Sequence, residues 1–154
     1  MRGLFRPIDD DETLATLDRL WALDRGLEAV SRVMHARIGV TGPQRFVLRM
    51  IGRDPGLTAG TLARRLHDHP STLTAALKRL VEQRLVARRE DPEDHRRVRL
   101  HLTAAGKRLD EIREGTVEAA VRGALAGMSA EEAEALRAGL AALAEALERT
   151  AGRE

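Results

Sequence analysis

Between Leu57 and Gly106 the chain reads LTAGTLARRLHDHPSTLTAALKRLVEQRLVARREDPEDHRRVRLHLTAAG, and this stretch limits the possible folds more than any other. Two short helical patterns follow one another closely, and two β-prone arms then enclose a loop that is both acidic and basic. Thr58 suits the N-cap of the first helix, with Leu62, Ala63 and Leu66 facing inward. Pro70 fits the first position of the second, which runs to about Gln83 with Leu73, Ala76, Leu77 and Leu80 as its buried stripe. Leu85–Arg89 and Val98–Leu102 read as short strands around the tip Glu90–Arg97. Helix, turn, helix and charged hairpin, in that order, suit one element that enters a DNA groove beside another that holds the backbone.

The flanks are helical. From Asp9 to about Ile38, Leu14, Leu17, Leu20 (with Trp21), Asp24, Leu27, Val30 and Met34 recur at steps of three and four, with the polar Asp24 at the stripe's edge, beginning in an acidic run suited to a helix N-terminus. Gly39 and Thr41-Gly42-Pro43 stop that helix and restart the chain. A helix from about Pro43 to Arg53 is expected to turn Phe46, Val47, Met50 and Ile51 inward. Thr103 is expected to cap one long helix reaching about Ala126, which Gly115 and Gly123 weaken without ending. Ser129 and Glu132 have capping-box spacing ahead of a last helix striped with Ala133, Leu136, Leu140, Leu143, Ala144 and Leu147. These long helices exceed what a small DNA-reading core requires, and a homodimer gives their stripes a partner. Folding back on their own core is the alternative.

Charge is unevenly distributed. Residues 1–39 carry a net −1, residues 40–108 a net +8 and residues 109–154 a net −5, so a polyanion is expected to face the middle. Of the 26 basic residues 24 are arginine, whose fork suits phosphate or guanine. The chain has no cysteine, which excludes disulfides and thiol redox switches. No apolar run approaches the ~18 residues of a membrane span, and MRGLFRPIDDDE lacks a signal core, so a soluble cytoplasmic protein without membrane contact is expected.

With these features in place, the sequence resembles the MarR family of transcriptional regulators across nearly its whole length. PGLTAGTLARRL is similar to the family's helix before the turn, and PSTLTAALKRLVEQRLVARRE to its recognition helix and first wing strand. DPEDHRRVRLHLTAAG carries the family's Asp-x-Arg at Asp94 and Arg96 and its Leu-Thr-x-x-Gly at Leu102, Thr103 and Gly106. The resemblance implies a mainly α, winged helix-turn-helix fold with a two-stranded β wing and long N- and C-terminal dimerisation helices, built as one compact domain. Residues 1–40 and 104–154 would dimerise and residues 41–103 would form the DNA-binding lobe. It also implies a sequence-specific homodimeric repressor of a near-palindromic operator in double-stranded DNA, and no enzyme. Ser71, Thr72, Thr74 and Ala75 would meet base edges, while Lys78 and Arg79 are better placed for phosphate. Asp94 would hold the guanidinium of Arg96 for the minor groove through a forked ion pair, and Arg97 would add a backbone contact. Four positions depart from the family: His67, Asp68 and His69 in the turn, and Arg84 where a Gly is usual. If that last site needs a positive φ, Arg84 is strained.

Other chemistry is thinly marked. No nucleophile–base pair, phosphate loop or paired-carboxylate site stands out, and no cofactor is implied. His67-x-His69 beside Asp68, with His35, His95 and His101 elsewhere, is the material for a metal-responsive variant. Metal sites need three or four converging ligands and none is assigned. A protein-interaction module without DNA is the other alternative. It would need an exposed apolar face where Lys78, Arg96 and Arg97 put charge. The resemblance implies a small aromatic or anionic effector bound between lobe and dimerisation helices. Trp21, Met34, Phe46 and Met50 would line that pocket, with Arg45 or Arg49 meeting the anion, although for each an ordinary core role is the favoured reading. Absent cysteine argues against a thiol peroxide sensor, and Phe46 stands where the urate-responsive branch carries Asp.

Overall fold

The computed structural model describes residues 8–66 and 70–152, with the side chains of residues 70–72 outside that description. Its order is α1 (Asp10–Ile38), α2 (Gly42–Arg53), α3 (Ala59–Leu66), α4 (Pro70–Glu82), β1 (Val86–Glu90), β2 (Val98–Leu102), α5 (Ala104–Asp110), α6 (Val117–Ala126) and α7 (Ala130–Ala151). The chain divides into two compact units between Val117 and Glu118. Among the described residues no helix is long and apolar enough to cross a membrane.

In the first unit, α1 begins where the Asp9 carboxylate accepts from the Glu12 N–H at 2.7 Å and ends where Gly39, at φ 78°, donates to the His35 carbonyl. That is an αL cap, the conformation glycine adopts without a Cβ penalty. At 29 residues α1 spans roughly 44 Å, yet Met34 is its one buried residue. Leu14, Trp21 and Leu27 are exposed.

The core lies beyond α1. Val47, Leu48 and Ile51 of α2, Leu62 of α3, Leu73, Ala76, Leu77 and Leu80 of α4, Val86 of β1 and Leu100 of β2 form a single buried cluster with Val40 and Leu57. A capping box sets α2: the Thr41 hydroxyl accepts from the Gln44 N–H and the Gln44 side chain accepts from the Thr41 N–H. The buried face of α2 differs from the expected one. Phe46 points outward at 56 % exposure and Met50 is half-buried, whereas Arg45 and Leu48 are fully buried. The stripe is rotated because Arg45 turns inward to bond distant carbonyls.

Those carbonyls belong to a break that the sequence did not signal. The expected helix from Thr103 to Ala126 stops at Asp110 and resumes at Val117. Gly115 sits between at φ 63°. Arg45 donates to the carbonyls of Leu109, Asp110 (3.3 Å) and Ile112 (2.6 Å), Arg49 to that of Asp110 (3.2 Å), and Arg37 of α1 to that of Glu114. A helix end exposes carbonyls with no intrahelical partner, and guanidinium donors satisfy them here.

The strands pair antiparallel, Val86 with Leu102 through Glu90 with Val98. The outer side of β2 is covered by the segment entering α3: the Gly56 N–H donates to the Leu100 carbonyl, the Leu100 N–H donates to the Leu57 carbonyl, and Thr58 forms a bridge with Arg99. In the second unit, Ser129 and Glu132 make both bonds of the expected capping box of α7. Neither α6 nor α7 has a buried residue, and Leu136, Leu140, Leu143 and Leu147 are exposed.

Candidate nucleic-acid interface

Helix α4 presents a polar face because its apolar one is fully used. Leu73, Ala76, Leu77 and Leu80 are buried, while Thr74, Ala75, Lys78 and Arg79 are exposed. Ser71 and Thr72, also expected at this surface, have side chains outside the described residues, as does the whole of His67, Asp68 and His69. Glu82 draws both cations of the helix, Lys78 at 3.9 Å and Arg79 at 3.5 Å. Exposed pairs of this kind are weak, so a phosphate can take either cation away.

The end of α4 is set by backbone geometry. The Leu85 N–H donates to the Leu80 carbonyl and the Arg84 N–H to the Val81 carbonyl, the two bonds of a Schellman motif. Arg84 occupies its left-handed position at φ 56°, the one positive φ outside glycine among the described residues. The strain anticipated at this departure from the family pattern is therefore present. Leu85 then offers its carbonyl to the Thr103 N–H at 3.0 Å, while the Thr103 hydroxyl donates to the Arg84 carbonyl at 2.7 Å. A Cβ on Gly106 would lie 2.1 Å from the Leu85 oxygen. The glycine of the Leu-Thr-x-x-Gly segment is thus required by close backbone approach.

Two aspartates build the wing tip. The Asp94 carboxylate accepts from the Arg96 N–H at 3.1 Å and pairs with the Arg97 guanidinium at 3.1 Å. This corrects the expected pairing: Asp94 shapes the turn under Arg96 through its backbone and clamps the neighbouring arginine. The Arg96 side chain is exposed. The three-residue spacing from Asp94 brings Arg97 back over the carboxylate, while Arg96 points off the turn.

Sequence reasoning missed Asp91 and Arg99. Asp91 is 5 % exposed in a tip whose neighbours Pro92 and Glu93 are open to solvent. Its carboxylate receives the Arg99 Nε at 2.7 Å and the Glu93 N–H at 3.0 Å. Arg99, then the Glu93 N–H, hold the Asp91 carboxyl below its ordinary value, and Asp91 in return raises Arg99. A depressed carboxyl contributes stability above its unfolded value and loses it as pH falls through the folded one, so the pair weakens only below the usual carboxylate range. The available signal was an Asp before Pro at the start of a hairpin loop, a turn former.

The residues expected to line an effector pocket are dispersed by burial. Trp21 and Phe46 are exposed, Met34 is buried with its sulfur 3.4 Å from the Val117 N–H, and Arg45 is buried on carbonyls. Arg49 pairs with the Asp110 carboxylate at 2.9 Å. Met50 lines an open cleft of about 540 Å³ with Arg53, Asp54 and Arg65, and none of the other five borders it. Among the described residues no three His, Cys, Asp or Glu side chains converge as a metal site.

A reading helix ending in a two-stranded wing defines a winged helix-turn-helix protein, a DNA-binding class of transcriptional regulator. A model described as "MarR family" matches residues 38–97. The HTH-type transcriptional repressor Rv2887 of Mycobacterium tuberculosis is 33 % identical over 93 residues, covering 60 % of this chain and 67 % of that one. The PcaV transcriptional regulator of Streptomyces coelicolor, solved in complex with its natural ligand, superposes with a TM-score of 0.70 at 25 % identity, covering 93 % of this chain and 99 % of that one. The transcriptional regulator SlyA gives 0.68 at 25 % identity, covering 88 % and 95 %. The chain belongs to the MarR family of transcriptional regulators.

Proposed function

We propose that the protein is a cytoplasmic homodimeric repressor that reads a near-palindromic operator and releases it when a small aromatic or anionic effector binds. Helix α4 enters the major groove with Thr74 and Ala75 towards base edges, and with Ser71 and Thr72 in the same role at its start. Lys78 and Arg79 meet phosphate, and the wing carries Arg96 to the flanking minor groove with Arg97 on the backbone. Residues 41–103 serve as the DNA-binding lobe and residues 1–40 and 104–154 as dimerisation helices. Two recognition helices about 10 bp apart then demand the two-fold symmetry of the operator.

The observation that carries the reading is the exposed Arg96 of the wing tip together with the exposed Lys78 and Arg79 of α4. Phosphate neutralisation at these residues makes binding salt-dependent. The dimer is supported by α7, whose leucines remain exposed in the single chain. A salt-series titration against the DNA immediately upstream of the protein's own gene, with random duplex as competitor, tests the proposal. Tight, competitor-resistant binding that weakens steeply with salt is expected. Binding to that DNA and to duplexes selected from a random pool no better than to random duplex would overturn it.

A further inference from the structure

The tip of the wing is charged and exposed, so something must fix its direction relative to α4. Two other contacts there, the Arg97–Asp94 ion pair and the approach of the His95 ring to the Glu90 carboxylate, lie in solvent and join residues of the tip to each other or to the end of β1. Asp91 is different. Its N–H donates to the Arg97 carbonyl at 2.9 Å, which closes the loop, and its buried carboxylate ties the loop to Arg99 in the middle zone of the hairpin.

Arg99 in turn sits where the wing meets the rest of the lobe. It pairs across the ladder with Arg89 and forms the bridge to Thr58, whose hydroxyl accepts from the Thr61 N–H at the start of α3. The adjoining Leu100 exchanges bonds with Gly56 and Leu57. A path of polar contacts therefore runs from the wing loop through Asp91 and Arg99 to the helix-turn-helix. Directly opposed residues on antiparallel strands share a face, and like charges there repel. With Asp91 in place, the charge of Arg99 opposite Arg89 is neutralised. Without it, two guanidiniums face each other one rung below a tip that has lost its side-chain anchor. Five-residue strands alone hold a hairpin poorly.

We propose that Asp91 and Arg99 are positioning residues that aim the wing relative to the recognition helix, and so fix the offset between the minor-groove and major-groove contacts. This inference rests on the DNA-reading function proposed above. Neither side chain needs to touch DNA. The pair determines where Arg96 arrives.

The test uses the full chain on a duplex selected by the wild-type protein from a random pool. Methylation protection of guanines reports α4 in the major groove, and hydroxyl-radical protection of the flanks reports the wing. The wild type should protect both. Asp91→Asn should bind about tenfold more weakly and lose flank protection, yet keep guanine protection at saturating protein. Arg99→Met should behave in the same way, whereas Arg99→Lys, which retains the charge, should recover most of the flank signal. A lobe that is merely destabilised would lose both protections in proportion to its unfolded fraction, measured by thermal melting. Loss of both together, or an intact flank in Asp91→Asn and Arg99→Met, would overturn the proposal. A wild-type chain that protects no selected duplex would instead overturn the DNA reading, and the positioning role with it.

Discussion

Helices α4 and α7 carry similar leucine stripes and spend them differently. Leu73, Leu77 and Leu80 of α4 are 4 %, 3 % and 0 % exposed, whereas Leu136, Leu140, Leu143 and Leu147 of α7 are 40 %, 42 %, 37 % and 56 % exposed. Periodicity states that a face is apolar and does not say what covers it. In α4 the cover comes from α2, β1 and β2 of the same chain. Four neighbouring leucines left on a surface are an interaction face in waiting. The lobe is a finished core, and in the proposed dimer α7 would be half of one.

The largest expected effect breaks that half-core. Leu140→Glu should yield a monomer by sedimentation and reduce operator affinity on the order of 100-fold, since two linked half-sites become one. A variant that stays dimeric places the contact on another helix. Gly106→Ala acts on the finished core. Its methyl cannot coexist with the Leu85 carbonyl, and overpacking of this kind costs about 1–3 kcal/mol, read as a lower thermal midpoint. An unchanged midpoint would mean the α5 start can slide away from β1.

Arg96→Ala should leave stability within about 0.5 kcal/mol, as surface changes do, and lower the slope of log affinity against log salt by about 1. An unchanged slope removes the wing tip from the interface. The smallest effect separates local strain from packing. Arg84→Gly should stabilise the lobe by about 0.5–1 kcal/mol, because glycine tolerates φ 56° where arginine does not. Destabilisation would show that the arginine side chain contributes more than its backbone costs.

Features with short sequence reach were legible. The stripe of α4 and the Ser129–Glu132 box depend on neighbours within a few positions, the wing strands on a hairpin of local reach, and the positive φ of Arg84 was anticipated only through the glycine usual there in the family. So was the arrangement of exposed polar residues on α4, which follows from its buried stripe. What could not be read depends on distant partners. The phase of α2 is set by Arg45 reaching carbonyls more than sixty positions away, and the same bonds hold the break between α5 and α6. A pattern of apolar residues cannot announce a buried arginine, so Phe46 took its place in the expected core. In the wing, the family resemblance implied that Asp94 clamps the guanidinium of Arg96, and the clamp falls on Arg97 instead. Asp94 holds Arg97 through the geometry of one turn, and Asp91 reaches Arg99 only because the strands are paired in this register.

The carbonyl of Leu85 is a crowded point. The chain leaving α4 passes through it, the Thr103 N–H bonds to it while the Thr103 hydroxyl bonds the preceding carbonyl of Arg84, and Gly106 closes on the Leu85 oxygen without a side chain between. Three elements share one bearing with no clearance. Such a joint does not let α5 turn while α4 stays still, so the recognition helix, the wing root and α5 must travel together. In the proposed dimer, the adjustable quantity would then be the gap between two such reading heads, as in a pair of calipers, and the proposed effector would act by opening or closing that gap.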